Sequence, residues 1–314
     1  MTRHFQILIS ENMPSNLPAN TLIINEFSKI QNLLGQEFET ILFDARKGIH
    51  LEALAIAAGT LKINGTLIVL LSNWEKLHSQ IDEDSLRWSG SLEAITTPRF
   101  IAYFKHCIHK YGFPVLYHQN DLKFDRTFQQ LFVNHNATLD QQKIIEHILQ
   151  KESELYFLTA KRGRGKSALA GLLANQLDTK IYLTAPNKSA VKILSEFSQK
   201  EIIFIAPDEL FLALQRNPSF SENAWLFVDE AAMLPIAQLT TFSHYFKHIL
   251  FTTTIHSYEG TGRGFTLKFK QKINRTFLDF ELIEPLRWTK DDALEAFIDE
   301  LLLLNVEDEF KQTV

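Results

Sequence analysis

The chain has 314 residues, of which 45% are hydrophobic and 22% charged, a balance typical of a folded globular protein with one large or two ordinary domains. The formal net charge of −5 excludes a generally basic coat for nucleic acid, although it leaves room for a local basic patch. The one cysteine, Cys107, excludes an intramolecular disulfide and fits a reducing cytosol. No apolar run reaches the ~20 residues of a membrane span and no targeting segment is recognisable, so we expect a cytoplasmic protein.

The first 120 residues alternate between strand and helix patterns. Short apolar runs predict strands, and these stand at 5–10, 40–45, 65–71 and 114–118. Helical spacing is found at 20–34, 51–65 and 98–112. This order is typical of an open sheet covered by helices, so we predict an N-terminal α/β domain over residues 1–120. The polar stretch 121–137 lacks strong periodicity and is predicted to be a linker.

A second α/β series occupies residues 138–290. It begins with a predicted helix at 138–151, and further helices are expected from Lys166 and from Asn187. Apolar runs predict strands at 154–160, 180–186, 201–207, 224–230, 248–254 and 277–284. Many short apolar strands separated by helices are typical of a mainly parallel sheet.

A glycine-rich basic loop lies between the first strand and the next helix of this domain. Residues 160–167, AKRGRGKS, match the phosphate-binding pattern G-x-x-x-x-G-K-[ST] except that Ala160 replaces the first glycine. Gly165 would let the backbone approach a phosphate, and Lys166 would reach the outer phosphates of a nucleotide. The Ser167 hydroxyl would bind Mg²⁺. The alternative is a basic surface turn, which the flanking strand and helix disfavour.

An acidic pair follows a later apolar strand. Asp229 and Glu230 end the run AWLFVDE, where a carboxylate can hold Mg²⁺ and its neighbour can orient and deprotonate a water molecule. A helix N-cap is the alternative interpretation of such a pair. Its position after a phosphate loop favours the first, and together the two motifs predict binding of ATP or GTP with Mg²⁺.

Three further candidates are less specific. Gln141 stands three residues after Thr138, so it either closes a capping box or reads the edge of an adenine base. The strand ending in Thr252–Thr254 places hydroxyls where a γ-phosphate or its water would lie, and the basic loop 260–264 beyond it is either a phosphate or RNA contact or a flexible turn. Arg287 would reach charge developing on the γ-phosphate, or form an ordinary surface ion pair.

In this order the motifs TLDQQ, TAKRGRGKSALAG, LFVDEAAMLP, TTTIHSYEGTGRGF and EPLRW resemble the ATPase module of bacterial tRNA(Met) cytidine acetyltransferases, which is related to RecD-like helicases. The resemblance implies a RecA-like P-loop NTPase domain in which ATP hydrolysis assists transfer of an acetyl group from acetyl-CoA to the wobble cytidine of elongator tRNA(Met). It makes Lys166, Asp229, Glu230 and Arg287 the catalytic candidates, with Ser167 and Asp229 at the metal. It assigns ATP contacts to Gln141, Gly163, Arg164, Gly165, Lys166, Ser167, Ala168, Leu169, Ala170, Gly171, Leu172 and Arg287.

Members of that family continue into a GNAT-type acetyltransferase domain and a tRNA-binding tail. We therefore expect a truncated form whose acetyltransferase activity comes from a separate polypeptide. The amphipathic stretch 291–314 is predicted to be a helix that packs on its own domain or docks a missing partner. RNA would bind either a patch such as Lys161, Arg162, Arg164 and Arg263 or the tRNA-binding tail of a complete family member. Two alternatives stay open: a stand-alone nucleic-acid-dependent ATPase of helicase-like type, and an inactive remnant of a split gene.

Overall fold

The computed structural model describes residues 3–25, 30–33, 36–124, 136–150, 154–161, 163–186, 188–254, 268–286 and 288–304. The chain divides into two compact units. Unit one comprises residues 1–130 together with 287–314, and unit two comprises residues 131–286. None of the described helices combines the length and the apolar character that a membrane crossing requires.

Unit one contains a parallel five-stranded sheet in the order β2-β3-β4-β1-β7. Its strands are β1 (His4–Ile9), β2 (Leu22–Ile24), β3 (Phe38–Asp44), β4 (Leu61–Leu71) and β7 (Val115–Leu116). The strands β5 (Ile81–Asp82) and β6 (Ile95–Thr96) form a small antiparallel pair. The helices are α1 (Leu51–Thr60), α2 (Ser85–Trp88), α3 (Pro98–Lys110) and α9 (Ala293–Leu301).

Two helices predicted from the sequence of unit one differ from the structure. The helix expected at 20–34 contains β2, because Leu22–Ile24 pairs with Ile41–Phe43 as the edge of the sheet. The helix expected at 51–65 ends at Thr60, and β4 begins at the next residue. In both cases hydrogen bonds to a strand distant in sequence override a local helical pattern.

The helix α9 completes the core of unit one, although it comes last in the sequence. Phe297 is fully buried, and its ring lies 5.1 Å from that of Phe5 and 5.3 Å from that of Phe113. At the start of α9, Asp292 caps the helix and pairs with the buried Arg3, with a distance of 3.1 Å from Nε to Oδ2. The helix is therefore an integral part of the unit that contains the N-terminal strand.

Unit two contains a parallel six-stranded sheet in the order β10-β9-β11-β12-β8-β13. Its strands are β8 (Leu155–Ala160), β9 (Lys180–Thr184), β10 (Ile203–Phe204), β11 (Ala224–Val228), β12 (His248–Thr254) and β13 (Phe277–Leu282). The helices are α4 (Leu139–Gln150), α5 (Lys166–Gln176), α6 (Ser189–Phe197), α7 (Pro207–Arg216) and α8 (Ile236–Tyr245).

Helices cover both faces of this sheet, as parallel strands require. One core cluster contains residues of α4 and α5, and the other contains residues of α7 and α8. The sequence analysis did not identify α7 and α8, and it extended the strand at 201–207 too far. Pro207 begins α7 because its fixed φ suits the first turn of a helix.

Candidate nucleotide-binding site

The loop between β8 and α5 tolerates the alanine that departs from the phosphate-binding pattern. Ala160 is the last residue of β8 and pairs with both Thr254 and Leu282, so its backbone is extended and does not require glycine. The left-handed conformations fall instead on Gly163, at φ 73°, and Gly165, at φ 81°. The two glycines of the loop therefore supply the turn into the helix.

Three contacts hold this loop in place within unit two. The backbone N–H of Leu286 donates to the Gly163 carbonyl at 2.9 Å, and the Gln141 amide donates to the Gly165 carbonyl at 3.1 Å. The buried Arg164 donates through Nε to the Ile283 carbonyl at 2.8 Å, so its side chain braces the loop. A Cβ added at Gly165 would lie 2.4 Å from Leu286 Cδ1 and 2.8 Å from Gln141 Nε2, and φ is 81°, so this position favours glycine.

Lys166 begins α5, and its side chain lies among polar side chains. Its Nζ donates to Thr254 Oγ1 at 2.9 Å and lies 3.8 Å from Glu230 Oε1, and the residue is only 8% exposed. The Thr254 hydroxyl in turn donates to the Glu230 carboxylate at 2.8 Å. Ser167 Oγ lies 3.4 Å from Asp229 Oδ2. The helix N-terminus, the lysine and the acidic pair thus meet at the C-terminal edge of the sheet.

Asp229 follows β11 and is 7% exposed. Its backbone N–H donates to the Thr184 carbonyl at 2.9 Å, and the Thr252 hydroxyl donates to its carboxylate. Burial, followed by the neighbouring Glu230, raises the pKa of Asp229, whereas Thr252 and Lys166 oppose this rise. Glu230 itself has φ 48°, a left-handed conformation that is costly for a residue with a Cβ. Buried acidity and backbone strain are together typical of a functional site.

The donor set at this edge suits a magnesium ion that also binds phosphate. Ser167 and Asp229 offer a hydroxyl and a carboxylate, which are the hard oxygen ligands that Mg²⁺ prefers. No group of three or more His, Cys, Asp and Glu side chains able to hold a metal occurs in the described parts of the chain. Mg²⁺ usually takes one or two protein ligands and completes its shell with phosphates and water, so this sparse set fits it.

Gln141 forms the capping box that its spacing predicts. The Thr138 N–H donates to the Gln141 side-chain oxygen at 2.9 Å, and the Gln141 N–H donates to Thr138 Oγ1 at 3.2 Å. The same amide also binds the loop at Gly165, so it links the start of α4 to the phosphate loop. The adenine-reading role remains a prediction.

The remaining candidates fall into two groups. Ala168, Leu169, Ala170, Gly171 and Leu172 lie in α5. Leu169 and Ala170 are buried in the core, and a Cβ at Gly171 would meet the Leu194 carbonyl at 2.6 Å, so this stretch serves packing beyond the first turn. Arg162, Arg287 and the loop 260–264 with Arg263 lie outside the described residues.

Sequence reasoning missed two apolar residues beside the loop. Leu286 packs against Gly165, and Ile283 offers the carbonyl that Arg164 binds. No sequence pattern distinguishes such residues from ordinary strand ends, because their importance comes only from tertiary contact. Leu286 lies in the motif EPLRW, in which only Arg287 was predicted to have a role.

This parallel sheet, with a phosphate loop leading into α5 and an acidic pair after β11, defines unit two as a RecA-like P-loop NTPase domain. Two family models match the chain. Residues 157–305 match the helicase domain of RNA cytidine acetyltransferase NAT10/TcmA, and residues 6–119 match the N-terminal domain of tRNA(Met) cytidine acetyltransferase TmcA. Over these two stretches the chain is similar to RNA cytidine acetyltransferases.

Individual relatives agree with this assignment. The chain is 62% identical to tRNA(Met) cytidine acetyltransferase TmcA of Haemophilus influenzae, in an alignment covering 99% of this chain and 48% of that protein. It is 40% identical to the protein of the same name from Actinobacillus pleuropneumoniae serotype 5b, covering 91% of this chain and 49% of that protein. The chain thus spans about half the length of these curated relatives.

Among solved structures, the UvsW helicase of bacteriophage T4 aligns with a TM-score of 0.35 and 9% identity. That alignment covers 66% of this chain and 92% of the helicase.

Proposed function

We propose that unit two binds ATP together with Mg²⁺ and hydrolyses it. The backbone N–H groups of the loop and of the α5 N-terminus hold the phosphates, and Lys166 neutralises the outermost one. Ser167 and Asp229 would hold the magnesium ion, which would supply positive charge next to the phosphates. Glu230 orients the attacking water and accepts its proton.

One observation supports this proposal above the others. Lys166 Nζ lies 3.8 Å from Glu230 Oε1, and both groups bond to Thr254, whereas Asp229 accepts a hydrogen bond from Thr252. With both carboxylates ionised, these groups and Lys166 carry one negative charge in excess, and the burial of Asp229 disfavours that state. A divalent cation with a polyphosphate would restore the balance, and left-handed glycines such as the two in this loop let successive backbone N–H groups face an anion.

The biological role we propose follows the family. ATP hydrolysis by this chain would assist acetylation of the wobble cytidine of elongator tRNA(Met), with acetyl-CoA as the acetyl donor, in the cytoplasm. The names of the relatives support tRNA(Met) as the substrate. Because the chain spans about half their length, we propose that acetyl transfer also needs a GNAT-type acetyltransferase domain, which a separate polypeptide could supply.

Titration calorimetry with ATP and Mg²⁺ tests the binding step. We expect the wild-type chain to bind, Lys166→Ala to lose binding, and Lys192→Ala, at an exposed lysine of α6, to bind normally. Glu230→Gln should bind ATP yet lose turnover in a phosphate-release assay. Absence of binding by the folded wild-type chain would refute the proposal.

Two further measurements test the biological role. Turnover should rise with tRNA, whereas stimulation by DNA with strand separation would favour the helicase-like alternative. Acetylation of cytidine by this chain with acetyl-CoA alone would refute the need for a further domain.

A further inference from the structure

Two residues beside the phosphate loop, Ile283 and Leu286, have large exposed apolar side chains. The exposed large apolar residues among the described parts of unit two are Leu139, Leu149, Leu212, Met233, Ile283 and Leu286. Leu149, Leu212 and Met233 lie singly on different elements, as is common on any protein surface. Leu139 stands two residues before Gln141 on α4, so the two side chains point to different sides of that helix. Ile283 and Leu286 both lie beside one loop, and such local concentration is typical of a binding surface.

Contacts with the loop place these residues around Gly163–Gly165. Leu286 bonds Gly163 through its backbone and packs against Gly165 through its side chain. Ile283 is joined to the loop through the bond from Arg164.

The fold does not account for the position of these side chains. Ile283 is 66% exposed and Leu286 is 46% exposed, and neither belongs to a core cluster of unit two. The polar half of the site begins at the next residues, where Lys166 and Ser167 contact Thr254 and Asp229. The loop residues 163–165 therefore lie beside exposed apolar side chains, and Lys166 and Ser167, which follow them, lie among polar groups.

We propose that Leu286, with Ile283 beside it, forms a platform for the planar face of the nucleobase, an inference that rests on the proposed nucleotide binding. A purine nucleotide has a polyphosphate at one end and a flat, largely apolar ring at the other, and the two halves of this site match those two chemistries. Contact with the ring would shield from water both the base and the half-exposed Leu286. The base and the phosphates belong to one small molecule. When the loop holds the phosphates, the base can therefore reach only residues close to the loop.

A ligand pair that differs only in the nucleoside tests this platform. Inorganic tripolyphosphate has the phosphates of ATP without its base, and calorimetry measures the Kd of each with Mg²⁺. We expect Leu286→Ala to weaken ATP binding about five- to tenfold while tripolyphosphate binding is unchanged. Ile283→Ala, whose side chain is more exposed, should give a smaller loss of the same kind, and Leu212→Ala, at 47% exposure, should change neither ligand.

Two outcomes would overturn the platform. Equal weakening of both ligands by Leu286→Ala and Ile283→Ala would mean that these residues only position the loop. Unchanged ATP binding in both variants would mean that the base lies elsewhere. Failure of the wild-type chain to bind either ligand would instead refute the proposed function, and the platform would fall with it.

Discussion

Replacing Phe297 with alanine should strongly destabilise unit one, although this residue stands far from the N-terminal strands in the sequence. Its ring is fully buried among those of Phe5, Phe113, Tyr111 and Phe104, with centroid distances of 5.1, 5.3, 5.9 and 6.4 Å. A buried Phe→Ala substitution costs about 3–5 kcal/mol, because packing contacts are lost and a cavity remains. At about 2–4 °C per kcal/mol for a domain of this size, the melting temperature of unit one should fall by about 6–20 °C.

Differential scanning calorimetry of the full chain measures this effect. Leu303→Ala is the matched control, since that side chain lies just beyond α9 and is 58% exposed. We expect the control to melt within about 2 °C of wild type, because surface substitutions usually change stability by less than ~0.5 kcal/mol. A Phe297→Ala variant that melts like the control would refute the conclusion that α9 completes the core of unit one.

Two other predictions concern charged groups. Asp229→Asn should raise the melting temperature of unit two in EDTA by about 2–4 °C and abolish Mg²⁺-dependent ATP binding, because burial already favours the neutral form and the amide can still accept from Thr252. A lower melting temperature in calorimetry would contradict this reasoning. Lys110, followed by Tyr111, lowers the pKa of Glu300 from its ordinary value of 4.5. The stability that this carboxylate contributes is therefore complete above pH 4.5 and is lost as the pH falls through the lowered pKa. Denaturant titrations across this range should show a shallower acid loss for Glu300→Gln than for wild type or the exposed control Glu222→Gln, and parallel curves would argue against the contact.

The sequence analysis identified the phosphate loop because its signals are contiguous. A strand, two glycines, a lysine, a serine and a helix follow one another within a few residues, so local pattern determines local structure. The acidic pair was found in the same way, as the polar end of an apolar strand. Parallel strands end at the same edge of the sheet, so the strand pattern alone predicts that the two motifs lie close together. In the structure Ser167 Oγ lies 3.4 Å from Asp229 Oδ2.

The unpredicted features depend on contacts between distant residues. The sequence Leu22–Ile24 sits within a helical pattern, and only its pairing with β3 makes it a strand. The amphipathic pattern of α9 correctly implied a buried face, but the pattern contains nothing about which surface covers it. Aromatic rings in β1, in α3 and just after α3 cover it, and the bond from Arg3 to Asp292 fixes its start.

Gln141 illustrates why two interpretations of one residue need not exclude each other. As a helix cap it exchanges hydrogen bonds with Thr138, and this alone would account for its spacing. Its third hydrogen bond, to the Gly165 carbonyl, holds the left-handed residue at which the phosphate loop turns into α5. Because a side chain at Gly165 would collide with both Gln141 and Leu286, the cap and the loop must fit each other. We therefore expect a change at Gln141 to act on the proposed phosphate binding through the loop, even where the amide makes no contact with a base.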